Sequence, residues 1–374
     1  MRRLLLSLGL LLVVAPVYAA TRVTVAQLRQ FFEEPKTRKL SDARIAERLS
    51  AAELSVQVTE PELARMLAGV RMGPETAEQV RLLAAASVFA DPPPSESLNL
   101  PAPDPAAQQQ MIRSARQYVR TTLHHLPDFL ATRATTCYDS QPFTGDRDNE
   151  KPVLRLHWER RYLRDISYRD GSEQAALTTN APGSSQARYP TGFSTWGEFG
   201  PILDIVLGDS FQGDMVWKRW QRSETGALIA VFHYTVTQPA SHYLVDFCCY
   251  KPSDEAGWIN FREKPAYHGD LYIDSQTGAI ERIKLQADLR EGDPVSENGF
   301  VVQYGRVEIA GKEYICPLRS VAIAAIDPMP MRSAEREPLV RYLNEVSFSN
   351  YHKFGSTAQI VTVPQATKQG TGTN

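Results

Sequence analysis

The spacing of apolar and polar residues changes character once along the chain. From about residue 22 to 91, apolar residues recur at three- and four-residue intervals, the period of a helix with one buried face. Val25, Leu28, Phe31 and Phe32 share such a face, and Leu40-Ser41-Asp42 opens a second helix, with Ser41 or Asp42 as cap and Ile45, Leu49 and Leu54 along it. Thr59-Glu60-Pro61-Glu62 reads as a third start, followed by Leu63, Met66 and Leu67. Gly73-Pro74-Glu75 opens a fourth, carrying Val80, Leu83 and Phe89. Helices this short do not hold in isolation, so they are expected to pack on one another or on the rest of the chain.

Asp91-Pro92-Pro93-Pro94 ends that pattern, and the Pro, Ser and Ala that follow to Pro105 favour extended backbone. One more helix is expected from about Ala106 to His125, with Met111, Ile112, Ala115, Tyr118, Val119 and Leu123 on its core side and Pro127 beyond its end. The period then shortens to two. Strands are expected at Leu130–Tyr138, Pro152–His157, Leu163–Arg169, Glu173–Leu177, Met215–Arg222, Leu228–Val236, Tyr243–Tyr250, Gly269–Ile273, Ala279–Asp288, Phe300–Ile309, Glu313–Ile323 and Tyr342–Phe348. Tight-turn sequences join neighbours: Asp170-Gly171, Asp274 to Gly278, and Ala310-Gly311-Lys312. Successive hairpins give an antiparallel sheet, so the expected class is α+β: a curved antiparallel half-barrel with plugging helices, preceded by a small helical region. One helix interrupts the strands at Thr195–Leu207, with Ser194 or Thr195 as its cap and Ile202, Leu203, Val206 and Leu207 as its apolar side. The expected boundaries are a helical region over 20–91, a linker over 92–105, the half-barrel over 106–352 and a mostly disordered polar tail over 353–374.

The N-terminus adds a location. Arg2 and Arg3 precede the apolar run Leu4 to Val14, and Val17-Tyr18-Ala19 presents small residues where a signal peptidase reads. Residues 1–19 therefore read as a signal peptide, cleaved after Ala19 or Ala20, which places the mature protein in the periplasm or outside the cell. No later stretch reaches the ~18 apolar residues of a membrane span, so the processed chain is not expected to cross a bilayer. Loss of Arg2 and Arg3 moves the formal charge from −2 to −4. That balance offers no electrostatic case for nucleic acid or anionic lipid headgroups.

Four cysteines, Cys137, Cys248, Cys249 and Cys316, are candidate disulfide partners in an oxidising compartment, with three connectivities open. Cys248 and Cys249 are adjacent on a strand and so face opposite ways. No Cys-x-x-Cys redox spacing and no zinc-type His/Cys spacing is present, so neither metal nor other cofactor is expected. Asp146-Arg147-Asp148-Asn149-Glu150 has the wrong residues, Lys151 and His157, at the sixth and twelfth positions of a calcium loop. Gly192-Phe193-Ser194-Thr195-Trp196-Gly197 has one residue too many for a nucleophile elbow. His233, His242 and His268 with Asp246, Asp270 or Asp274 permit a catalytic arrangement without specifying one, and no catalytic residue is assigned. His124-His125 read as favourable charges at a helix C-terminus. The aromatic residues are more suggestive: Trp196, Phe199, Trp217, Phe232, Tyr234 and Tyr243 are the candidates for lining a hydrophobic cavity, against the simpler reading of a filled core.

The order of elements, with Leu126-Pro127-Asp128-Phe129-Leu130-Ala131-Thr132 after a helix, hairpins, a short central helix and the hairpin Leu271-Tyr272-Ile273-Asp274-Ser275-Gln276-Thr277-Gly278-Ala279-Ile280, resembles the periplasmic lipoprotein-carrier superfamily over about 110–350. Residues 40–350 also resemble a group of exported bacterial proteins through Thr195-Trp196-Gly197-Glu198-Phe199-Gly200, Ser241-His242-Tyr243, Cys248-Cys249 and Tyr314-Ile315-Cys316-Pro317. The carrier resemblance implies a half-barrel that handles lipid or lipoprotein; the N-terminal helical region and the additional cysteines depart from it. The leading expectation is a non-enzymatic exported binding or carrier protein for a hydrophobic ligand. An envelope interaction module using the N-terminal helices to hold a protein partner and a secreted hydrolase are the alternatives.

Overall fold

A computed structural model describes residues 21–123, 126–140, 155–169, 172–177, 193–195, 197–210, 213–223, 226–250, 257, 259–327 and 340–353. The signal-peptide reading, the acidic segment at 146–150, His124-His125 and the tail beyond Lys353 lie outside these residues.

The N-terminal region begins with β1 (Thr21–Val23), α1 (Val25–Glu33), α2 (Asp42–Leu49), β2 (Ala52–Leu54), α3 (Glu60–Met66) and α4 (Pro74–Ala86). Each start follows its local chemistry. Thr24 and Thr59 form capping boxes with Gln27 and Glu62, and Ser41 caps α2. Asp42 accepts from the backbone N–H groups of Glu75 and Thr76, and so caps α4 from a neighbouring helix. β1 and β2 form a small parallel pair. Leu28, Phe32, Leu49, Leu54, Leu63, Leu67, Val80 and Leu83 close a separate small core, which gives these short helices the tertiary support they need.

The segment expected as a linker contributes a two-residue strand, β3 (Ser97–Leu98), at one edge of the main sheet. After α5 (Pro105–Leu123) come β4 (Phe129–Asp139), β5 (His157–Arg169), β6 (Ser172–Leu177), α6 (Pro201–Asp209), β7 (Asp214–Arg222), β8 (Leu228–Val236), β9 (Val245–Tyr250), β10 (Ile259–Glu263), β11 (Ala266–Asp274), β12 (Ile280–Asp288), β13 (Val295–Ile309), β14 (Lys312–Ile326) and β15 (Val340–Lys353). Eleven strands form one sheet in the order β3-β7-β8-β11-β12-β13-β14-β15-β4-β5-β6, with every neighbouring pair antiparallel and no closure between its ends. The large antiparallel sheet and α+β class match the expectation. β9 does not join this sheet; it pairs with β10, a strand missing from the sequence-based assignment, as a separate hairpin.

The inserted helix is shorter than its sequence suggested. It starts at Pro201 rather than Thr195, because Gly197 and Gly200 take positive φ of 96° and 153° in the preceding turn. Neither Ser194 nor Thr195 caps it: Gly200 is the capping residue, and the Thr195 hydroxyl accepts from Arg133.

Strand alternation gives the sheet two different faces. On one, Phe232, Tyr234, Tyr267, Leu271, Ile283, Leu285, Phe300 and Val302 pack with Ile112, Val119, Ile202, Leu203 and Val206 of α5 and α6 into the main core. The other face is partly covered by the N-terminal region: Leu82 packs with Tyr138 and Leu343, and the Phe89 ring lies over Gly299. Polar contacts supplement that cover, including Arg81 with Glu345 at 2.9 Å and Arg282 with Gln57 at 2.8 Å.

Candidate functional site

The aromatic residues proposed as cavity lining lie in or against the filled core. Phe199, Phe232 and Tyr234 are fully buried, and Trp217 and Tyr243 are half-buried against them. Phe199 packs with Phe129 and Phe348 at ring separations of 5.4 and 5.0 Å, and Trp217 with Trp220 and Phe232 at 4.8 and 5.5 Å. Tyr243 packs on Tyr267 at 5.7 Å. The space beside Phe199, bounded by Tyr118, Leu126, Leu203 and Ile280, measures about 10 Å³, room for about one water molecule. Trp196 lies outside the described residues.

The roomy space is on the opposite face. A cleft of about 430 Å³ opens between the N-terminal region and the sheet. Residues within 49–55 and 86–91 supply one wall; β7, β8, β11 and β12 supply a floor bearing Lys218, His233, His268, Asp270 and Lys284. Strand register builds that floor: His233, Asp270 and Lys284 occupy directly paired positions on β8, β11 and β12. A bulge between Trp217 and Arg219 adds Lys218 from β7.

Asp270 organises the group. Its carboxylate is 1% exposed, with Oδ1 2.9 Å from His233 Nδ1 and Oδ2 3.0 Å from Lys218 Nζ. Lys284 Nζ lies 3.8 Å from Oδ2 and also donates to the carbonyl of Phe89. Burial pushes the Asp270 carboxyl upward, but His233, Lys284 and Lys218 outweigh it and hold the group below its ordinary range. Burial pulls Lys284 down, with Asp270 opposing. Burial would also lower Lys218, but its bonds to Asp91 and Asp270 keep it above the usual lysine value. Asp91, 2.7 Å from Lys218 and 3.3 Å from Arg219, ties the cleft's wall to its floor.

A close backbone approach fixes this arrangement. The Tyr234 hydroxyl donates to the carbonyl of Lys284 at 2.7 Å, crossing over Gly269. A Cβ at Gly269 would lie 1.7 Å from that carbonyl oxygen and 2.7 Å from the hydroxyl. Glycine at 269 therefore allows its neighbours, His268 and Asp270, to sit on the cleft floor.

The other sequence candidates separate. His268 Nδ1 is 2.8 Å from Asp288, and its ring centroid is 5.9 Å from that of His233. His242 pairs instead with buried Asp209, which also accepts from the Tyr267 hydroxyl. Asp274 caps its own hairpin turn by accepting from the N–H groups of Gln276 and Thr277, and Asp246 lies 3.7 Å from Arg262. In the cleft wall, the Ser50 and Ser87 hydroxyls donate to backbone carbonyls, which argues against either as a nucleophile. Sequence reasoning missed Lys218, Lys284 and Asp91; alternation marks Lys284 as polar-facing, but nothing local shows that both lysines meet Asp270 or that Asp91 meets Lys218.

Cys137 and Cys316 are buried free thiols, which removes both from the candidate disulfides. Burial pushes Cys316 up to about 12, so it stays protonated. Cys248 is exposed on β9. Among the described residues, no group of three or more His, Cys, Asp or Glu side chains is placed to hold a metal ion, and no helix is long and apolar enough to cross a membrane.

No family model matches the chain, and no curated protein or solved structure matches it either.

Proposed function

We propose that this chain is an exported binding protein whose ligand sits in the polar cleft, not on the apolar side of the sheet. The sheet is read as a half-barrel with α5 and α6 as its permanent plug. A hydrophobic cargo would have to displace those helices, whereas the cleft already has a volume within the roughly 300–1,000 Å³ of small-molecule sites. The observation that carries the reading is the buried Asp270, which holds His233 and Lys218 at the base of a cleft of about 430 Å³. Arg22, Lys218, Lys284 and Arg341 face Glu53, Asp91, Asp270 and Glu297 around it. That balance suits a small solute bearing both hydrogen-bond donors and acceptors and little net charge, and argues against a polyanion.

Mass spectrometry of small molecules released by denaturing protein purified, without detergent, from its own cells tests this reading. The expected result is a polar solute below about 500 Da, the scale of ligand such a volume holds, and its loss from the Lys218→Met/His233→Ala double variant. Recovery of an acyl-chain lipid, or of nothing across repeated preparations, would overturn it.

A further inference from the structure

His233 and His268 are prepared alike. They lie on adjacent antiparallel strands and the same face, offset by two residues, because His233 pairs opposite Asp270 and His268 opposite Thr235. Each ring is anchored through Nδ1 to a carboxylate, Asp270 at 2.9 Å and Asp288 at 2.8 Å. Such a bond places the proton on Nδ1 of the neutral ring and leaves a lone pair on Nε2. Neither Nε2 has a partner among the described residues, and both side chains border the cleft at 39% and 37% exposure.

A carboxylate on one imidazole nitrogen and an open lone pair on the other is the usual preparation of a metal-binding histidine. The spacing permits sharing. With a metal–nitrogen distance of about 2.0–2.1 Å, an ion lies about 3.2 Å from each ring centroid, so two rings bridged by one ion have centroids at most about 6.4 Å apart. The observed separation of 5.9 Å falls inside that reach. The neighbouring ammonium groups of Lys218 and Lys284 do not stand alone, since Asp91 and Asp270 lie against them.

We propose that His233 and His268 form an open, two-imidazole site for a divalent transition-metal ion, with the remaining coordination positions left to water or to a solute in the cleft. Nitrogen ligands favour Cu²⁺, Ni²⁺ and Zn²⁺ over Mg²⁺ and Ca²⁺, and Cu²⁺ is expected to bind most tightly. The proposal shares the cleft with the binding reading but not its solute.

The test uses the full processed chain, treated with EDTA, dialysed and titrated with Cu²⁺ alone by calorimetry, with electron paramagnetic resonance of the loaded protein. One equivalent with hyperfine structure from two nitrogens is expected. His233→Ala and His268→Ala should each weaken that site at least tenfold, and Asp288→Asn by the 10–100-fold typical of a lost supporting carboxylate. His242→Ala should bind as the parent does. Equal Cu²⁺ affinity in the parent and the His233→Ala/His268→Ala double variant, with both folded by circular dichroism, would overturn the proposal. Released-solute analysis on EDTA-treated protein reads the binding proposal separately, so either can fail without the other.

Discussion

Oδ1 of Asp270 lies 2.9 Å from Nδ1 of His233, and the same buried carboxylate faces two ammonium groups through its other oxygen. This carboxylate is both the organiser of the cleft floor and the counter-charge for Lys284, which is 9% exposed. The two roles make different demands and can be tested apart.

Asp270→Asn keeps the shape and removes the charge. Leaving Lys284 without its counter-ion should cost about 3–5 kcal/mol, the scale for breaking a buried pair from one side. Urea denaturation is the measurement. Adding Lys284→Met to Asp270→Asn should recover much of the loss, because the uncompensated charge disappears with it. A double variant no more stable than Asp270→Asn would show that the charge balance is not what matters here.

Gly269→Ala tests the close approach beneath the Tyr234 hydroxyl. The added methyl would meet a backbone carbonyl rather than the end of a flexible side chain. The strands must separate or shift, and a loss above about 3 kcal/mol or failure to fold is expected. Gly208→Ala, in α6 with open space where its Cβ would go, is the control and should be neutral or stabilising by about 0.5–1 kcal/mol. Thermal melts of the two variants should therefore move in different directions or by very different amounts.

Glu173 gives a pH-dependent prediction. Burial, then the neighbouring Glu198 carboxylate, pushes its carboxyl up to about 7, against Arg133 and the N–H groups of Phe199 and Gly197. The folded chain thus holds a proton that an unfolded chain releases near the ordinary glutamate value of ~4.3. Stability from this group is present below that lower value and lost as pH rises to about 7. Glu173→Gln should therefore be more stable than the parent at pH 8, by up to about 3 kcal/mol, and show no such gain near pH 4.5. Urea midpoints at the two pH values decide it; a gain independent of pH would place the effect elsewhere.

Much of the scaffold was legible because its causes are local. Leu228–Val236 has its expected limits, since a run rich in β-branched and aromatic residues lies between the Gly226 turn and Thr237. The hairpin at Asp274 to Gly278 is fixed by the side chain of Asp274 and the positive φ of Gly278. The helix expected from Thr195 begins only at Pro201, because its apolar face starts at Ile202 and the positive φ of Gly197 and Gly200 breaks the backbone before it. The aromatic cluster was legible as apolar but not as filled. Whether Phe199 and Phe232 border a space depends on how α5 and α6 seat against the sheet, a long-range packing fact with no local pattern. The cleft was less legible still. Asp91, Lys218, Asp270 and Lys284 come from four separated segments; strand order and register bring the last three together, and Asp91 reaches them from the N-terminal region through Lys218.

Hydrogen–deuterium exchange compares the two faces directly. Protein retaining its native solute would be measured against the same protein stripped by denaturation and refolding. Slower exchange is predicted in the cleft wall, residues 49–55 and 86–91, with 105–123 and 201–209 unchanged. Protection confined to 105–123 and 201–209, the helices against the apolar face, would contradict the assignment of the site to the polar cleft.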